Sequence, residues 1–211
     1  QSWLCEPQDG GLLVTPVEVY DLFQRFVVPH AEEKIVFMSA TILDMAGFCK
    51  TFGIKKEEVG LIRVESEFPP ENSPIVYKPC GSMNYKNLEG TIPKIIETVR
   101  EVLAKHPNEK GLIHTSNYRI AQAICDEIKD SRLIIRQDGE NNEIIMKKHA
   151  ESKEPTVLVS PSLTTGADLK DELSRFQIIV KLPFLSLADQ RVAKKNELDN
   201  SWYVAEMLRT V

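Results

Sequence analysis

The sequence predicts an α/β protein with a mainly parallel sheet flanked by helices on both faces, and three observations carry that prediction. Two short apolar runs, Thr156-Val157-Leu158-Val159 and Phe176-Gln177-Ile178-Ile179-Val180, are rich in β-branched residues and bounded by Pro, Gly and Ser, the pattern of strands buried on both faces. The segment between them is long enough for a crossover, so a parallel pairing is open to them. From Gly90 onward the chain reads helix, strand, helix, strand, helix, strand, loop, strand, helix, an alternation that favours a parallel sheet.

The bulk composition agrees with this class. In 211 residues, 42% hydrophobic and 27% charged, a sizeable core can be buried in one large domain, or in one domain plus a piece of another. A net charge of −5 argues against a protein that holds nucleic acid by global attraction, while leaving room for a local strand-binding groove. No apolar run reaches the length of a membrane span and no signal peptide opens the chain, so a cytoplasmic protein without a membrane partner is expected. Cys5, Cys49, Cys80 and Cys125 are dispersed without nearby His pairing, which predicts reduced thiols and no metal site. Both ends read as cut. Gln1 stands where Met would begin a chain, and Val204, Met207, Leu208 and Val211 still hold helical spacing where the chain stops.

In chain order, Gly10-Gly11 punctuates the run Leu12-Leu13-Val14, and Pro16 fits the first turn of a helix striped by Leu22, Phe23, Phe26 and Val27 that ends near Pro29. Ile35-Val36-Phe37-Met38 reads as a buried strand running into Ser39-Ala40-Thr41, and a helix carrying Phe48 and Phe52 closes at Gly53. Ile62-Arg63-Val64 and Ile75-Val76-Tyr77 are strand candidates among prolines. Ile92, Ile95, Ile96, Val99, Val102 and Leu103 form the strongest helical period of the chain. Leu112-Ile113-His114 is a strand ending in Thr115-Ser116-Asn117-Tyr118, after which Ile120, Ile124 and Ile128 mark a helix. Leu133-Ile134-Ile135 is a further strand, a polar helix runs to about Ser152, and helices from about Ala188 to Glu197 and from about Trp202 complete the chain.

In an open α/β sheet, ligands collect beyond the carboxyl ends of the strands. Three such ends carry polar chemistry: Ser39-Ala40-Thr41, Thr115-Ser116-Asn117-Tyr118, and Ser160-Pro161-Ser162 with Thr165-Gly166-Ala167-Asp168. Hydroxyls and backbone N–H groups at strand ends and helix starts suit phosphate. Each cluster taken singly reads equally as helix capping or a turn. His114 reads as a packed residue, Lys181 as a side chain reaching out at a strand end, and Trp3 and Trp202 as packing residues. Asp189 with Arg191 is either an interdomain contact or a surface pair.

As an ordered set the clusters say more. Ser-Ala-Thr after an apolar strand, a hydroxyl-rich strand end before Tyr118, Gly166-Ala167-Asp168 after a strand, and Lys181-Leu182-Pro183-Phe184 after the next resemble the DinG and XPD type of superfamily 2 DNA helicase, in its second RecA-like motor domain. Trp3-Leu4-Cys5-Glu6-Pro7 and the segments Leu185–Lys195 and Trp202–Met207 extend the resemblance over nearly the whole chain. It implies that residues 1–44 end the first motor domain and residues 45–211 form the second. Ser39, Ala40 and Thr41 would then couple nucleotide state to strand movement. Thr115, Ser116, Asn117, Tyr118, Ser160 and Ser162 would face the nucleic-acid backbone, and Thr165, Gly166 and Asp168 the nucleotide side of the cleft. Family patterns often place Glu where Thr165 stands and a second Gly near Lys170-Asp171.

The same resemblance implies ATP and Mg²⁺ in the full-length enzyme, single-stranded DNA or a forked duplex as partner, the first motor domain of the same chain as neighbour, and a bacterial or phage cytosol. An iron–sulfur cluster, which family members hold in a Cys-rich insertion, would lie outside these residues. No Gly-x-x-x-x-Gly-Lys-Ser/Thr loop and no Gly-Lys pair occur here, Asp126-Glu127 reads as a solvated pair, and Arg209 as a surface residue. These 211 residues are therefore expected to be inert as an ATPase by themselves, lacking both cradle and arginine finger. A RecA-like binding or scaffold module without turnover is the alternative. A glycosyltransferase or other nucleotide-using domain fits the strand order but leaves Ser39-Ala40-Thr41 and Lys181-Leu182-Pro183-Phe184 unexplained.

Overall fold

The computed structural model describes residues 3–39, 41–136, 141–161, 163 and 169–210. In chain order its elements are β1 (Trp3–Gln8), β2 (Gly11–Pro16), α1 (Tyr20–Phe26), α2 (Met45–Phe52), α3 (Leu88–Lys105), β3 (Gly111–His114), α4 (Tyr118–Ile128), β4 (Leu133–Ile135), α5 (Asn142–Glu151), β5 (Val157–Ser160), β6 (Phe176–Ile179), α6 (Gln190–Leu198) and α7 (Asn200–Thr210). They divide into two compact units, one of residues 1–69 with 184–211 and one of residues 70–183. No helix among the described residues is long and apolar enough to cross a membrane.

The second unit is the α/β layer that the alternation predicts. Its four strands are all parallel, in the order β4-β5-β3-β6. β5 and β6 are not partners of each other, because β3 lies between them. The path from β3 through α4 skips one position to β4, and the return through α5 fills the gap with β5. Because the direction reverses, a right-handed crossover must put α4 and α5 on opposite faces. The core obeys this. Ile113, Val157 and Val159 pack with Ile95 and Val99 of α3 and Ile120 and Ile124 of α4, whereas Leu112 and Leu158 pack with Ile145 of α5.

Long-range polar contacts fix the outer layers. Lys110 Nζ donates to the carbonyls of His149 at 2.6 Å and Ser152 at 2.8 Å, satisfying the end of α5 with a cation where the helix dipole is negative. His149 itself is fully buried: its Nδ1 lies 2.8 Å from Thr156 Oγ1 and its Nε2 lies 2.8 Å from the Leu173 carbonyl. A carbonyl can only accept, so Nε2 carries the proton and Nδ1 accepts from the threonine.

The first unit departs more from expectation. β1 and β2 form an antiparallel hairpin with Gln8 opposite Gly11, so Pro16 closes a strand instead of opening a helix. Asp9-Gly10, with Gly10 at φ 87°, is the turn signal that the apolar run Leu12-Leu13-Val14 overshadowed. α2 forms as read, whereas α1 begins only at Tyr20, after β2 has ended at Pro16. Asp44 caps α2 by accepting from Ala46 N at 3.2 Å and Gly47 N at 2.6 Å, and Gly53 ends it in the left-handed conformation at φ 64°.

Ile35-Val36-Phe37-Met38 is not a strand, and Val36 and Met38 are largely exposed. A strand exists only through a partner's hydrogen bonds, and in this unit β1 and β2 satisfy each other. Phe37 alone is gathered in, with ring centroids 5.0 Å from Phe48 and 5.1 Å from Phe52. Ile62-Arg63-Val64, in the same unit, and Ile75-Val76-Tyr77, in the second, are likewise irregular and exposed. At the far end, Asp189 is the N-cap of α6, accepting from Arg191 N at 2.8 Å and Val192 N at 3.0 Å.

Candidate nucleic-acid interface

Parallel strands in one register deliver their carboxyl ends to one edge of the sheet. Here His114 of β3 stands opposite Ser160 of β5 on one side and Ile179 of β6 on the other, so the polar tips of β3 and β5 lie side by side and the apolar tip of β6 flanks them. The ladder continues past the strands: Thr115 N donates to Ser160 O at 3.1 Å and Val180 N to His114 O at 2.9 Å.

At that edge the hydroxyls divide by burial. Thr115 is fully buried and donates its Oγ1 to the Asn117 carbonyl at 3.1 Å, while Ser160, also buried, accepts from Leu163 N at 3.2 Å. Both shape the loops that leave their strands. Ser116 and Asn117 are only half-buried. Ser116 holds the left-handed conformation at φ 61°, uncommon for a residue with a Cβ, and donates to the Lys181 carbonyl at 2.8 Å. The tip of β3 is thereby tied to the chain that leaves β6. Asn117 caps α4 by accepting from Ile120 N at 2.9 Å.

Tyr118 opens α4. Its ring lies beneath the Arg136 guanidinium, with Cζ 5.3 Å from the ring centroid, and its Oη is buried without a hydrogen-bond partner. Sequence reasoning missed Arg136. The available signal was a cation directly after the apolar run Leu133-Ile134-Ile135, the same position relative to its strand as the clusters that were noticed. His114, half-buried under this edge, has its pKa lowered by burial, partly countered by a hydrogen bond with Gln177, so the imidazole favours its neutral form.

Of the remaining sequence-predicted residues, Ser39 and Thr41 belong to the other unit, exposed, with Thr41 N donating to Ser39 Oγ at 3.1 Å. Ala40, Ser162, Thr165, Gly166 and Asp168 lie outside the described residues.

The first unit has a cleft of about 260 Å³ lined by, among others, Asp44, Lys50, Lys195, Asp199, Trp202 and Arg209. Its charges are largely spent on each other. Lys50 Nζ bonds Asp199 at 2.6 Å, and that bond, with one from Ser201, draws the Asp199 carboxyl down to about 2. Lys195 Nζ sits 4.2 Å from the centroid of the Trp202 ring, and burial lowers its pKa.

The family model of the helicase C-terminal domain matches residues 99–211, more than half of the chain. The chain belongs to the helicase C-terminal domain family. The match starts within α3 and contains every strand of the parallel sheet, so the hydroxyl-lined edge lies wholly inside it. No curated protein matches the chain.

A helicase C-terminal domain implies, in general terms, nucleic acid, a nucleotide and Mg²⁺. The described residues do not fit a triphosphate with its metal. No Gly-Lys pair exists in the sequence, and among the described residues no group of three His, Cys, Asp or Glu could hold a cation. The four thiols are free; Cys5 is exposed, Cys49 is buried, and burial pushes Cys125 up to about 11.

Proposed function

We propose that this helicase C-terminal domain is the second RecA-like motor domain of an ATP-dependent DNA helicase of the DinG and XPD type. On this reading residues 1–44 end the first motor domain, and the triphosphate cradle comes from sequence outside these 211 residues. Thr165, Gly166 and Asp168 face the nucleotide, and Ser39, Ala40 and Thr41 couple its state to movement. Ser116, Asn117, Tyr118 and Ser162 meet the backbone of single-stranded DNA, while Thr115 and Ser160 hold the strand tips that present them.

The observation that supports this best is the register of His114 with Ser160, which sets the polar ends of β3 and β5 side by side on one edge within the matched family region. Contacts from hydroxyls and amides to phosphates would grip any sequence and weaken steeply with salt. By resemblance, movement runs 5′ to 3′.

The test is unwinding of 5′-tailed and 3′-tailed duplexes by the full-length protein, with ATP turnover followed alongside. Asp168→Ala should lower DNA-stimulated turnover and leave the fold intact. Unwinding of neither duplex, with no turnover, would replace this reading with that of a scaffold module.

A further inference from the structure

We propose that Arg136 and Tyr118 form one composite contact for a backbone phosphate of single-stranded nucleic acid, at a place on the sheet edge that sequence motifs do not mark. The proposal rests on the nucleic-acid reading above and adds a cation to it. β4 is an outer strand of the sheet, and Ile135 pairs with Val159, so the next residue along the register, Arg136, comes level with Ser160. The guanidinium thus stands in the same row of strand tips as the β3 and β5 clusters.

Three features of the pair select the ligand. The guanidinium lies over the Tyr118 ring, 5.3 Å from its centroid, so its planar fork of N–H donors is held in one orientation. The hydroxyl carried by that ring is buried with no partner, a state that native structures seldom leave without an explanation. Guanidinium nitrogens cannot accept, so a ligand shared by both groups must offer acceptor oxygens and gains from negative charge. A phosphodiester does both; a base edge or a sugar hydroxyl offers no charge. Tyr118 is also the first residue of α4, where the helix dipole favours an anion, although Asn117 already engages the Ile120 N–H there.

Position sets which phosphate is met. β4 and β3 are separated by β5, so the tips of these two strands stand about 10 Å apart along the edge at the usual strand spacing. They would hold different phosphates of one strand.

The experiment measures binding of the full chain to fluorescently labelled oligo-dT and to a mixed-sequence oligonucleotide over a range of salt, for wild type, Arg136→Gln, Arg136→Lys and Tyr118→Phe. Arg136→Gln should weaken both oligonucleotides about tenfold and reduce the slope of log affinity against log salt by about 0.7, the share of one phosphate on a single strand. Arg136→Lys should keep the slope while losing affinity, and Tyr118→Phe should lose several-fold in affinity with the slope unchanged. Should Arg136→Gln unfold, as judged by circular dichroism, the lysine and phenylalanine variants carry the test. Unchanged affinity and slope in the variants of a wild type that binds DNA would overturn the Arg136 assignment and leave the helicase reading standing. A loss confined to one base composition would also overturn it. A wild type that binds neither oligonucleotide at low salt would overturn both.

Discussion

The hydroxyl of Ser116 reaches across 65 positions of sequence to donate to the carbonyl of Lys181, 2.8 Å away. That bond extends the pairing of two neighbouring strand tips beyond the ladder, and the backbone at Ser116 takes φ 61° to make it. Ser116→Ala should cost about 1 kcal/mol, the usual net value of one hydrogen bond. Ser116→Val should cost clearly more, because a β-branched residue adds left-handed strain of about 1–2 kcal/mol to the lost bond. Urea unfolding of the three proteins checks this order. Equal midpoints for wild type and Ser116→Ala would show that the bond contributes nothing to stability. Together, Ser116→Ala and Ser162→Ala should weaken single-strand binding irrespective of base composition.

At the other end of β3, Gly111 is required by contact and not by dihedral angle. A Cβ there would lie 2.4 Å from Cζ of the Phe176 ring, which is itself stacked on His106 with centroids 4.6 Å apart. Gly111→Ala should therefore destabilise the sheet by about 1–3 kcal/mol through overpacking, despite alanine's better intrinsic propensity. Thermal unfolding measures the shift. Adding Phe176→Leu to Gly111→Ala should recover part of it.

Arg132 closes the end of α3. Its guanidinium donates to the His106 and Pro107 carbonyls at 2.8 and 3.0 Å, while pairing with Asp130 at 2.7 Å, and the side chain is only 16% exposed. Arg132→Ala should cost roughly 2–4 kcal/mol, because it leaves those carbonyls without a donor and strips a mostly buried carboxylate of its guanidinium partner. Arg132→Lys keeps the charge but not the fork, so most of the loss should persist. A lysine variant as stable as wild type would mean that charge alone matters there.

Acid sensitivity should be traceable to His149. Burial lowers its pKa, with the Lys110 charge adding to the effect and the Leu173 carbonyl opposing it. Above its ordinary value of 6.5 neither the folded nor the unfolded chain binds the proton, and stability does not depend on this group. As pH falls below that value the unfolded chain takes up a proton that the folded chain refuses. Stability should fall by up to about 1.4 kcal/mol per pH unit until the folded value is passed. Urea midpoints between pH 7.5 and 5.5, a window in which ordinary carboxylates stay ionised, should drop for wild type and drop less for His149→Gln. Parallel curves would place the acid sensitivity elsewhere; His114, shifted in the same direction, is the next group to replace.

Much of the second unit was legible because its signals are local. The spacing of Ile95, Ile96, Val99 and Leu103 marks one buried face of α3, and the runs at Leu112 and Val157 are strands that do find partners. Ile35–Met38 carries as strong a strand signal as either, yet it stays irregular, since no partner strand meets it in its unit. The clusters at Thr115 and Ser160 were placed correctly at strand ends. Their division into buried supports and half-buried rim was not visible, because burial depends on what the neighbouring strand brings alongside.

Residue type and spacing, which act over a few positions, were enough to declare a layered α/β unit with its polar residues at the carboxyl ends of its strands. Strand order, the Ser116 bond to Lys181 and the stacking of Arg136 on Tyr118 arise between residues far apart in the chain. Such contacts have no local pattern to announce them, since each exists only after the backbone has closed and its partner has been carried to it.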